Sequence, residues 1–139
     1  MNAKRILVLV LALILVAGCG AGKYAEEKTL LTTVTKAMES FNAAIGSAGV
    51  PEDVAKALGS FSGAIEKVLP KMQELTKAHP EWEDNPPEEL KSQFENFEAA
   101  TSTFRAETMP KVMKFAQDNM DNVDLQNALK KFSNIASQM

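Results

Sequence analysis

The chain has 139 residues, enough for one domain. Hydrophobic residues make up 45% of it and charged residues 24%, the balance of a globular chain and not of a disordered one. With 15 basic against 18 acidic residues the net charge is −3, which sets nucleic acid aside as a partner class.

The first element is a short basic stretch, Met1 to Arg5, followed by an unbroken aliphatic run from Ile6 to Val16. That run falls short of the roughly 20 apolar residues a membrane-spanning helix needs. Ala17 and Gly18 then supply the small residues of a signal peptidase site. An uncleaved anchor and an ordinary secretory signal both compete as readings. The run is short for the first, and the second does not require the Cys19 that follows, which is the only cysteine of the chain.

Leu15-Val16-Ala17-Gly18-Cys19 resembles the lipobox of bacterial lipoproteins. The resemblance covers the first 19 residues and implies cleavage before Cys19, a diacylglyceride on its sulfur and, often, an acyl chain on its amine. Two or three acyl chains anchor stably where one is marginal. The implied organisation is a signal peptide over 1–18, the lipidated Cys and a short tether over 19–23, and a helical domain over 24–139. Gly20, where an Asp would signal retention, resembles the default for export to the outer membrane in Gram-negative cells, on its periplasmic face. Removing Lys4 and Arg5 with the signal leaves 13 basic and 18 acidic residues, a net charge of about −5. With its one Cys acylated, the remainder holds no disulfide framework.

Gly20-Ala21-Gly22 is a very short tether, and order can begin at Lys23 or Tyr24. The first helical run is Tyr24 to Ser47, with an apolar stripe at Leu31, Val34, Met38, Phe41 and Ile45. Gly46, Gly49 and Pro51 break it. Pro51 opens the second run, helped by Glu52 and Asp53 at the helix N-terminus. Val54, Leu58, Phe61, Ile65, Val68, Met72 and Leu75 alternate steps of four and three, which predicts a bundle helix packed along its whole length to Ala78. Because the stripe continues past Pro70, a kink is expected there and not an end.

Three prolines make His79 to Pro87 a loop. The third run opens at Pro87-Glu88-Glu89, with Leu90, Phe94, Phe97, Thr101 and Phe104 as its stripe. At Pro110 it either kinks and runs to Asn119 or stops near Glu107 before a short helix; the kink is preferred. A turn at Asp118, Asn119, Asp121 and Asn122 leads to a last helix from Val123 to Ser137, with Leu125, Leu129, Phe132 and Ile135 inward. Together these predict an all-α, up-down-up-down antiparallel four-helix bundle, kinked in helices 2 and 3 at Pro70 and Pro110 and preceded by the signal helix.

Candidate chemistry is sparse. His79 is the only histidine, sits beside Pro80 and has no nucleophile motif to serve, so packing against Trp82 is its expected role. The acidic stretch Glu81, Glu83, Asp84, Glu88 and Glu89 lacks an EF-hand pattern and reads as a solvated loop. Met38, Met72, Met109, Met113 and Met120 could suit copper, but they read as gap-fillers of apolar stripes. In helix order and length the layout is similar to four-helix haem proteins of the cytochrome b562 type. That family places a haem-ligating His in its last helix, and this chain has none there, so the likeness implies the bundle without the haem. No catalytic, cofactor-binding or metal residue is nominated; the one site residue is Cys19, with the membrane as its partner. The expected role is a non-enzymatic, lipid-anchored element of the cell envelope that meets another envelope protein. The alternative is a carrier of a small apolar ligand or metal, which would need a Phe- and Met-lined cavity near Pro70 and Pro110.

Overall fold

The computed structural model describes residues 22–82 and 84–138. The expected signal segment at 1–18 and Cys19 lie outside the described residues. Within them the chain is a helical bundle of four rods, and no strand occurs among the described residues.

Helix α1 spans Ala25–Ser47 and buries Leu31, Val34, Thr35, Met38, Phe41 and Ile45, the stripe its spacing predicts. Three residues later α2 spans Pro51–Ala78, opening on extended Val50 with Pro51 in its first turn. It runs without interruption through Pro70. Its burial is uneven, however. Val54, Leu58, Phe61, Ile65 and Leu69 are buried, while Met72 and Leu75 are only half-buried. Met72 still packs against the core, so the packing expected along the helix continues but thins over the last two turns.

Two single turns of 3-10 helix, Pro80–Trp82 and Glu88–Leu90, punctuate the connection that follows. Helix α3 begins at Lys91 and reaches Thr103, a π-helical turn covers Phe104–Thr108, and α4 continues over Met109–Asp118. These three pieces form one rod, so the alternative of a stop near Glu107 is set aside. Proline lacks an N–H and its ring collides with the carbonyl four residues earlier. The wider turn directly ahead of Pro110 absorbs that collision, and in it the Met109 N–H donates to the Phe104 carbonyl, five residues back. The last rod is α5, Val123–Ala136, capped by Asn122, whose side-chain oxygen accepts from the Leu125 N–H at 2.9 Å.

The rods are tied in pairs. Helix α1 packs on α2 and on α3, and α2 packs on α5. Contacts between α1 and the third rod climb together: Thr101 Oγ1 donates to Met38 Sδ, Asn42 Nδ2 to the Ala100 carbonyl, Thr108 Oγ1 to Asn42 Oδ1, and Lys111 Nζ to the Gly46 carbonyl. Those between α2 and α5 climb likewise, with Asn122 Nδ2 on Glu52, Lys131 on Glu66, and Gln73 Nε2 on the Gln138 carbonyl. Each pair therefore runs in one direction, and the two consecutive helices α1 and α2, joined by three residues, run opposite ways.

Length then decides where the core is complete. At 1.5 Å per residue, α2 with 28 residues is about 42 Å long and α5 with 14 is about 21 Å. The last residues of α5 lie level with Gln73, so the end of α2 and the start of α1 and α3 have no fourth rod beside them. The end holding the α1–α2 turn, called here the far end, carries the full core. Its centre is a cluster of Phe41, Phe61, Phe104 and Phe132, with Phe41 stacked on Phe61 at 4.8 Å and on Phe132 at 6.5 Å and Phe104 tilted against all three. At the near end Leu90 is buried as its place on the stripe predicts, Phe94 and Phe97 are half-buried with Phe97 against the core, and Ala100 is buried without having been on the stripe.

This gradient predicts unequal mutational costs. Leu58→Ala, at a site with no solvent exposure, should lower stability in urea unfolding by roughly 2–5 kcal/mol, and Leu75→Ala by clearly less. Equal losses would contradict the graded core.

Candidate functional site

Cys19, the one residue nominated from sequence, lies outside the described residues, and the described chain begins three residues after it at Gly22. The elements nearest to it are therefore those of the near end. Tyr24 caps α1 in a left-handed conformation with φ 66°, the only non-glycine residue with positive φ among those described. Such a conformation costs on the order of 1–2 kcal/mol for an L-residue, and it persists where neighbours hold it. The holding contact is Trp82, whose ring meets that of Tyr24 edge-on at 5.2 Å. Lys23 Nζ lies 4.7 Å from the centroid of the same Tyr24 ring, and its ammonium is held above its ordinary pKa by the Tyr24 hydroxyl first and by Glu89 after it.

His79 completes this group. Its ring stacks on Trp82 at 3.8 Å and 10°, the packing that the three-residue spacing predicts, and its Nδ1 stands 3.4 Å from Glu81. Trp82 is thus sandwiched and only 6% exposed. The arrangement closes the loop over the bundle end and holds His79 between Trp82 and Glu81.

Under this aromatic lid lies an open cavity of about 770 Å³ between the first turns of α1, the last turns of α2 and the start of α3. Its walls include Leu30, Met72, Leu75, Phe94 and Phe97, with Trp82 on the lid side. The cavity exists because α5 ends before reaching it. It meets the Phe and Met lining that sequence reasoning attached to a carrier, and it lies at Met72 and not at Pro110. A second, shallower groove of about 640 Å³ runs between α1 and α2 and is lined mostly by Ala and Ser.

The methionines do not share one environment. Met38 is buried with its sulfur taking the Thr101 hydroxyl, Met72 lines the cavity, and Met113 and Met120 are exposed. Among the described residues no group of three or more His, Cys, Asp or Glu is placed to hold a metal ion. The acidic loop residue Glu88 pairs with Lys91 and holds its ammonium above the ordinary pKa.

Two features had no sequence signature. The first is Asn42, which bridges α1 to the third rod by donating to Ala100 at 3.0 Å and accepting from buried Thr108 at 2.7 Å. It reaches the rod on both sides of the junction between α3 and the π turn, sharing the Ala100 carbonyl with the Phe104 N–H and taking the hydroxyl of Thr108 within the turn. The second is the far end, where Val50, Met120 and Val123 are 49%, 74% and 69% exposed. The bond from Asn122 to Glu52 draws these two turns together. Comparison with protein-family models, curated proteins and solved structures finds no match.

Trp82 is the only tryptophan of the chain, so it reports on the lid directly. Its fluorescence should be poorly quenched by acrylamide, and Tyr24→Ala should raise that quenching. Quenching left unchanged by the substitution would mean that Tyr24 does not cover the indole.

Proposed function

We propose that residues 1–18 are a signal peptide, that Cys19 becomes the acylated mature N-terminus, and that the bundle acts as a non-enzymatic interaction or structural element of the cell envelope. The lipobox-like run to Cys19 supports the anchor, and Gly20 favours the periplasmic face of the outer membrane if the cell is Gram-negative. No helix among the described residues is long and apolar enough to cross a membrane, and two or three acyl chains on Cys19 would anchor stably. In this reading the rods follow an up-down-up-down order with bends at Pro70 and Pro110, supported by the matched direction of the paired rods. The near end then faces the bilayer across the short Gly20-Ala21-Gly22 tether, and the far end faces away.

The observation that carries the interaction role is the exposure of Val50, Met120 and Val123 on two turns that the Asn122–Glu52 bond draws together. Exposed apolar residues gathered on one face mark a contact surface more than an isolated residue does. The near-end cavity favours a second reading, carriage of a small apolar ligand.

Labelling cells with radioactive palmitate tests the anchor. The wild-type protein should carry label and begin at Cys19 by mass, and Cys19→Ala should carry none. Label retained by the variant, or a wild-type protein that keeps residues 1–18, would overturn the reading.

A further inference from the structure

We infer that the near-end cavity seats one acyl chain of the protein's own anchor, an inference that rests on the acylation of Cys19 proposed above. The cavity is about 770 Å³, within the roughly 300–1,000 Å³ of small-molecule sites. Its apolar walls are side chains left half-buried where the fourth rod ends, so an apolar occupant completes a core that the chain itself leaves unfinished.

Charge at the rim argues for an ester- or amide-linked chain over a free fatty acid. A free carboxylate needs cations of its own. Here Lys91 is taken by Glu88, and Lys91 and Arg105 are outnumbered along the cavity by Asp84, Glu95 and Glu98. Hydrocarbon whose carboxyl is already bound to glycerol or to an amine needs no such partner.

Reach is the third argument. Five residues separate Cys19 from Tyr24, a span of at most about 18 Å. Tyr24 rests on Trp82, which lines the cavity, so the anchor begins within that distance of the wall. The left-handed turn at Tyr24 pins the start of α1 to the same lid. A chain seated there is shielded from water whenever the protein is outside a bilayer.

The methyl ester of palmitic acid, brominated on its chain, quenches an indole only on contact, and Trp82 is the only tryptophan. The test compares the protein purified from membranes in detergent, its acyl mass verified, with the mature chain exported from an ordinary secretory signal and beginning, unacylated, at Gly20. The brominated ester, which carries no free carboxylate, should quench Trp82 in the unacylated chain and severalfold less in the acylated one. Equal quenching in both would overturn self-occupancy and leave a site for free amphiphiles. Quenching in neither would overturn the cavity as an acyl site. A wild-type mass without acyl chains would overturn this inference and the anchor reading together, whereas the other failures leave the anchor reading standing.

Discussion

The organising constraint of this bundle is a mismatch of lengths. Helix α2 continues for more than a turn beyond the point where Gln73 meets the end of α5. Above that level four rods close over the phenylalanine cluster, and hydrophobic burial is complete at Ile45, Leu58, Val54 and Leu125. Below it three rods cannot enclose their own apolar faces. Met72, Leu75, Phe94 and Phe97 stay half-covered, and a loop must serve as the missing wall. One side of the molecule is therefore rigid by packing and the other is open by construction.

Two local devices manage the consequences. At the near end Trp82 lies between Tyr24 and His79, tying the proline-rich connection to the first turn of α1. That contact offsets the strain of a left-handed tyrosine. Midway along, Asn42 joins α1 to the third rod at the π turn. A half-buried amide with both its groups engaged fixes the register of two rods that hydrophobic stripes alone would let slide. The first device ties the near end to the first described turn of the chain, and the second sets the register farther along α1.

Much of this was legible in the residues. Pro51 with Glu52 and Asp53 marked the start of α2, Asn122 the start of α5, and the three-residue spacing of His79 and Trp82 their stacking. What was not legible has physical reasons. A stripe of apolar residues specifies a face and not its partner, so Met72 and Leu75 look the same whether a fourth rod covers them or not. The signal that could have exposed the cavity was the shortness of the run from Val123 beside the run from Pro51. The π turn left no mark in Phe104 to Thr108, since its cause, Pro110, lies downstream. Cys19 is legible only as a motif.

The central claim is that the core is complete at the far end and unfinished at the near end. Native-state hydrogen exchange along α2, on the mature chain without lipid, tests it most directly. Amides from Leu58 to Ile65 should exchange only through global unfolding, and protection should fall steeply from Met72 to Ala78. Protection that stays level through Ala78 would contradict the account.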